Sequence, residues 1–198
     1  MTLPAGATVS VGLPEPLRAD AARLYLDAFA AKLGPILGRD ARAEAFVASV
    51  LRPANAVVAL DAEGALLGLA GFHDDTGGFV GGDFADMRRA YGLVGAAWRA
   101  PVFALFERSP DPGEMLMDGV VVAPDHRGAG VGGALLEIVA SHARAAGASS
   151  LRLDVVDANP RARALYERKG FQLREETATP LMRPPFGFGA VATMTRPL

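Results

Sequence analysis

Apolar residues recur along this chain with two periods, and the switching between them outlines a fold. A short strand is expected at residues 8–12. From 14 to 33, Leu17, Ala21, Leu24, Ala28 and Ala31 keep the three- and four-residue spacing of one helix face, opened by Pro14 and Glu15. KLGPILG is expected to end that helix, and DARAEAFVASVL, with Asp40 as N-cap, reads as a second helix stopped by Pro53. AVVAL and ALLGLAGFH, joined by DAEG, make a hairpin. Residues 76–110 begin glycine-rich, after which Met87, Tyr91, Val94 and Trp98 mark one helix face up to Pro101.

MLMDGVVV is the next strand, and Leu135, Ile138 and His142 mark a helix that starts at Val131 and stops at Gly147. SSLRLDVVD is another strand. NPRARALYERKG has Asn159 as N-cap, Pro160 at the first helical position, and Lys169 and Gly170 at its end. FQLREETAT and FGFGAVATMT supply the last strands around the loop PLMRPP. No repeat, low-complexity tract or linker interrupts the chain, so a single domain over residues 1–198 is expected, with 76–110 inserted in it.

Composition narrows the function. With 51% hydrophobic residues among 198, the chain can bury a full core. Lys plus Arg (20) nearly balance Asp plus Glu (22) with no dense basic run, which argues against a nucleic-acid or anionic-membrane surface and for a small ligand. Cysteine is absent, so disulfides, thiolate metal sites and an acyl-cysteine intermediate are excluded. His73, His126 and His142 lack metal-ligand spacing, no GxSxG or GxxxxGK[ST] motif occurs, and no metal is expected. The N-terminus carries no signal-peptide pattern and no apolar run reaches membrane-spanning length, so a cytoplasmic protein is the expectation.

The stretch HRGAGVGG (126–133) carries the candidate chemistry. Read as Gly128-x-Gly130-x-x-Gly133 it fits a dinucleotide fingerprint. Read as Arg127-Gly128-x-Gly130-x-Gly132 it fits the pyrophosphate loop of an acyl-CoA enzyme. Both readings rest on backbone amides at a helix N-terminus closing around phosphate oxygens. Topology separates them: a dinucleotide unit places its first glycine directly after the strand, whereas here the five residues APDHR intervene, and too little chain follows for a doubly wound half-sheet.

VVVAPDHRGAGVGGALL followed by NPRARALYERKGF resembles the GNAT superfamily of acyl-CoA N-acyltransferases. The second stretch matches through Asn159, Ala162, Leu165, Tyr166, Gly170 and Phe171. The order of elements is similar over nearly the whole chain, the insertion at 76–110 being the departure. The resemblance implies an α/β (α+β) fold with a mixed, mostly antiparallel central sheet flanked by helices, and an extra helical insertion before the fourth strand. It also implies acetyl-CoA as acyl donor and transfer to a primary amine of a small molecule or peptide by direct attack. A non-catalytic acyl-CoA sensor and an NAD(P)-binding oxidoreductase are the competing readings, and a homodimer is a reasonable prior.

The resemblance also implies roles. The pantetheine arm would pair with the backbone of Val120, Val121 and Val122, residues that serve equally as a core strand. Arg127, Gly128, Ala129, Gly130, Val131, Gly132 and Gly133 would cap the diphosphate, with Gly130 and Gly132 leaving room for phosphate, and Arg127 either touching phosphate or lying in solvent. Asn159 is a helix cap that would also contact the cofactor. Tyr166 would protonate the leaving thiolate, or simply pack. For the base, Asp118 and Asp154 flank the cofactor cleft in apolar surroundings that would raise a carboxyl pKa, with a structural carboxylate as the alternative for each. His73 is a third candidate. His73, Asp74 and Asp75 beside Asp83 and Asp86 could attract a cationic amine or form solvated turns. The insertion is expected to cover the acceptor side, with its Gly-Gly pairs and Arg88 and Arg89 free to adjust, or else to enlarge the core or form a dimer contact.

Overall fold

The computed structural model describes residues 3–74, 77–104 and 108–198. Its centre is a seven-stranded sheet in the order β1-β2-β3-β4-β5-β7-β6. The strands are β1 (Thr8–Val11), β2 (Ala56–Leu60), β3 (Leu66–Phe72), β4 (Glu114–Val122), β5 (Ser150–Val156), β6 (Gln172–Ala178) and β7 (Ala190–Pro197). Every neighbouring pair is antiparallel except β4 and β5. A doubly wound dinucleotide fold needs a mostly parallel sheet, so the oxidoreductase reading fails on topology.

The helices are α1 (Arg18–Ala28), α2 (Ala30–Leu37), α3 (Ala41–Val50), α4 (Phe84–Ala104), α5 (Val131–Ala145), α6 (Pro160–Arg168) and the short α7 (Arg183–Phe186). Residues of α1 to α4 pack on one face of the sheet, around Val58, Leu69, Phe79 and Val121. Those of α5 and α6 pack on the other, around Val57, Phe72, Met117 and Leu153. Burial on both faces explains why β2 and β3 read as continuous apolar runs. Two helix starts come straight from local chemistry: Ala43 N donates to Asp40 Oδ1 (3.0 Å), and Ala162 N to Asn159 Oδ1 (3.1 Å).

Two expectations need correction. KLGPILG does not end the first helix; the break falls at Phe29 (φ −103°, ψ 22°), and α2 runs through Pro35 to Leu37. Pro35 removes one backbone donor, but burial of Leu33, Ile36 and Leu37 holds the turn in place. The face Met87-Tyr91-Val94-Trp98 is likewise not continuous. Gly92 (φ 71°, ψ 174°) kinks α4, so Met87 is buried while Val94 is 83% and Trp98 46% exposed. The kink is held from both sides, because Tyr91 Oη donates to Leu37 O (2.9 Å) and Arg99 Nε to Ile36 O (2.8 Å). Beyond it Ala96 faces the core, and the helix continues past Pro101 to Ala104.

Candidate active site

The parallel pair in the middle of the sheet comes apart. β4 and β5 are bonded from Glu114↔Ser150 to Met117↔Leu153, yet both strands run on, to Val122 and Val156. On its other side β4 stays paired with β3 as far as Val122↔Gly68. From Asp118 to Val122 the backbone groups turned towards β5 therefore have no strand partner among the described residues. An unpaired strand edge inside a fold is a ready template for an extended ligand carrying amides.

A bulge sits where the divergence begins. β3 pairs Gly71 with Gly119 and Phe72 with Met117, leaving Asp118 as the extra residue. The bulge resets the alternation: Met115 and Met117 face α5, and so do Val120 and Val122, while Val121 faces the opposite core. Gly119 (φ 150°) permits close approach from above, since a Cβ there would lie 2.6 Å from the Phe29 ring.

Asp118 is turned to the α1–α4 side and is engaged at both oxygens, by His73 Nε2 at Oδ1 and by Phe79 N at Oδ2 (2.8 Å). Asp154, on β5, accepts from Thr193 Oγ1 (2.7 Å) and lies 3.8 Å from Arg108 Nε. The expected apolar surroundings are thus wrong for both carboxylates, because each strand position is crossed by polar groups from distant segments. Lys32 of α2 joins the cluster. Burial and the Arg108 charge hold its pKa below the usual lysine value, against Asp118 and Asp154.

The opposite face holds the glycine loop and Tyr166. Gly128 (φ 83°) and Gly130 (φ 81°) take left-handed conformations, and no side chain among the described residues caps α5. Its first intrahelical donor is Ala134 N, to Gly130 O (3.1 Å), so the amides of Val131, Gly132 and Gly133 have no acceptor among the described residues. Three unclaimed N–H groups at the start of a 15-residue helix fit an anion such as a phosphate. Two of the glycines also have reasons within the fold. Gly130 takes a left-handed backbone angle, and a Cβ at Gly132 would come within 3.2 Å of Leu165 on α6, which would have to give way. Val131 buries its side chain and offers only its amide, while Arg127 is exposed and donates through Nε to Val122 O (3.2 Å).

Tyr166 lies against Phe171 with ring centroids 5.9 Å apart and is only 6% exposed. Its hydroxyl has no hydrogen-bond partner among the described residues and is not sealed from solvent. Burial pushes the phenol up to about 12, so it stays protonated at neutral pH. Asn159, two turns earlier, is exposed and spends its side-chain oxygen on the cap.

The profile of the acetyltransferase (GNAT) family matches residues 20–171, most of the chain. The chain belongs to the GNAT acetyltransferases. Among solved structures it is similar to a GCN5-related N-acetyltransferase from Kribbella flavida (18% identity, 98% of each chain, TM-score 0.64). It is also similar to the protein yncA from Salmonella typhimurium, solved with acetyl-CoA (18% identity, 98% of this chain and 94% of that one, TM-score 0.63). At such identity these likenesses speak for the fold. A curated relative, the streptothricin acetyltransferase of Streptomyces lavendulae, is 36% identical over 101 residues, 49% of this chain and 53% of that protein. The match thus spans about half the length of that relative. The matched family is one of acetyltransferases, and among the described residues no cluster of His, Cys, Asp and Glu could hold a metal ion.

The described start of the insertion is tied to the body of the fold. Phe79 is fully buried, Arg52 N donates to Phe79 O (2.8 Å), Gly81 N to Val50 O (3.0 Å) and Asn55 Nδ2 to Gly77 O (3.0 Å). The Gly-Gly pairs are therefore pinned rather than free to adjust. Asp83 and Asp86 cap α4 reciprocally: Asp86 N donates to Asp83 Oδ1 (2.9 Å) and Asp83 N to Asp86 Oδ2 (3.1 Å). Both carboxylates thus serve a capping turn, the second of the two alternatives read from the sequence, and Asp75 lies outside the described residues. Sequence reasoning missed the His73–Asp118 pair, Lys32 and Arg108. The one local signal was Asp118-Gly119 inside a strand pattern, since a glycine there marks a bulge.

Proposed function

We propose that the chain transfers the acetyl group of acetyl-CoA to a primary amine by direct attack of the amine on the thioester. The observation that carries this reading is the slot where β4 and β5 part: it has a free strand edge along it, and opposite chemistry on its two sides. On the α5–α6 side lie the unclaimed amides of residues 131–133 and the protonated phenol of Tyr166. On the α1–α4 side lie Asp118, His73 and Lys32.

Acetyl-CoA supplies an activated thioester and a thiolate leaving group. The amides of Val131, Gly132 and Gly133 hold its diphosphate, and the β4 edge at Val120, Val121 and Val122 receives the amide-bearing arm. Tyr166 gives the departing sulfur its proton. Without cysteine no acyl-cysteine relay is available. Asp154, engaged by Thr193 and Arg108, serves the sheet rather than the proton. Streptothricin is the first acceptor to try because of the half-length relative, followed by a peptide N-terminus and lysine.

The test is a thermal-shift series with acetyl-CoA, CoA, NAD and NADP, together with turnover of Tyr166→Phe. A ligand at 100 times its Kd stabilises the folded state by about 2.7 kcal/mol, and this is expected for both CoA species and neither nicotinamide. Tyr166→Phe should lower kcat roughly tenfold or more at unchanged acetyl-CoA affinity. A CoA shift without turnover of any amine would leave a binding module; a wild-type kcat in the variant would make the phenol a packing group.

A further inference from the structure

We propose that His73 is the base that takes the proton from the acceptor ammonium, and that Asp118 positions it instead of acting as the base. The proposal rests on the amine-transfer reading above and adds the group that makes the amine nucleophilic.

The bulge decides the role of Asp118. It turns the carboxylate to the acceptor side and hands one oxygen to His73 Nε2 and the other to Phe79 N. A carboxylate committed at both oxygens orients a neighbour better than it meets a substrate. His73 is in the complementary position. With Nε2 given to Asp118, Nδ1 has no protein partner among the described residues, and the side chain is 21% exposed against 16% for Asp118. An imidazole that donates Nε2–H to a carboxylate presents a lone pair at Nδ1. A nucleophile-activating base held by a third group is a recurrent catalytic arrangement.

The ring is also held at the right level and cannot swing away. His73 follows Phe72, which pairs with Met117, the last β4 residue bonded to β5, so it stands where the slot opens. Its own N–H donates to Leu116 O (2.8 Å). Gly78 closes the other side, since a Cβ there would lie 2.5 Å from His73 Nε2 and 3.0 Å from Asp118 Oδ2.

The charged and titratable groups around the imidazole come from every packed element. They are Asp118 on β4, Arg52 after α3, Asp74 beside it, and Tyr25 on α1 and Lys32 on α2 facing Asp118. The Asp118 hydrogen bond raises the His73 pKa first, burial opposes it, the charges of Asp118 and Asp74 raise it further, and Arg52 lowers it, with a net rise. A base raised above about 6.5 takes a proton from an amine more readily near neutrality.

The proton balance closes. The ammonium gives one proton to His73 Nδ1, and the neutral nitrogen attacks the carbonyl carbon. As the N–C bond forms and the C–S bond breaks, the nitrogen sheds a second proton and the sulfur takes one from Tyr166. Of the two protons lost by nitrogen, one restores Tyr166 through solvent and one is released.

The experiment compares wild type, His73→Gln and Asp118→Asn by the pH profile of kcat/KM, with the primary amine that wild type acetylates, and by imidazole NMR titration. Acetyl-CoA thermal shifts serve as the folding control. His73→Gln should lose at least about 10²-fold in kcat/KM near neutrality and no longer show the limb set by the imidazole. Asp118→Asn should keep that limb but move it to lower pH, because the partner that raised the pKa is gone. NMR should find Nε2–H in neutral His73 and a fall of its pKa in Asp118→Asn. An Nδ1–H tautomer, a His73 pKa indifferent to Asp118, or loss of the limb in Asp118→Asn alone would overturn the proposal. Failure of wild type to acetylate any of the amines overturns the functional reading instead, and the NMR result still decides the pair.

Discussion

The molecule has two glycine-rich segments, 77–82 and 128–133, which look alike in sequence and are built for opposite ends. In the second, Gly128 and Gly130 adopt positive φ, a Cβ at Gly128 would meet nothing within 4 Å, and the loop ends in helix amides without an acceptor among the described residues. In the first, a Cβ would strike a partner at every turn: Arg52 at Gly77 and Gly81, His73 at Gly78, Val50 at Gly82. One segment leaves its helix amides without an acceptor among the described residues, while the other has closed its polar groups onto the protein to make a wall behind His73. Glycine content alone says nothing about this. What a side chain would have displaced does.

The largest contrast should appear in stability. Phe79→Ala removes a fully buried ring from the wall and is expected to cost about 3–5 kcal/mol in denaturant unfolding, whereas Ala129→Ser in the anion loop should stay within about 0.5 kcal/mol. Equal effects would mean that the wall is as loosely held as the loop.

Next come two alanines that should act on different steps. Gly78→Ala pushes on a ring already tied to Asp118, so kcat should drop tenfold or more with acetyl-CoA affinity nearly unchanged. Gly130→Ala forces a side chain into a left-handed cap at a cost of roughly 1–2 kcal/mol, and the amides it aims should lose acetyl-CoA affinity by about tenfold, with kcat at saturation largely kept. Steady-state kinetics with each substrate varied in turn will show whether the two losses separate. If both variants lose the same parameter, the two segments serve one site.

The same contrast explains what could be read from the chain. Features whose cause lies within one turn were legible: Asp40 and Asn159 cap the residues three positions on, and the Gly-rich entry to α5 precedes a strong apolar stripe. The mixed, mostly antiparallel sheet followed from the run of elements and the resemblance they carry. The kink at Gly92 was not legible, because it is held by Tyr91 and Arg99 reaching carbonyls of α2, 54 and 63 residues away in sequence. The acceptor side was hardest for the same reason. His73 and Asp118 are 45 residues apart, and only the bulge and the Gly78 approach bring them into register. Anion loops are local devices, whereas a proton relay is assembled from remote parts.

The smallest expected effect belongs to Arg127, and it tests how far the loop works through its backbone. The guanidinium is exposed and its Nε is turned to Val122 O, so it contributes charge near the helix N-terminus rather than a fixed fork. An exposed charge is worth about 0–1 kcal/mol and is screened by salt. Arg127→Ala should therefore weaken acetyl-CoA binding only about two- to threefold at low ionic strength, and the difference should vanish as salt is raised, which calorimetric titration at two salt concentrations can follow. Loss of binding by tenfold or more, persisting at high salt, would show instead that the arginine reaches the phosphates directly. The amides of residues 131–133 would then be supporting contacts rather than the main hold.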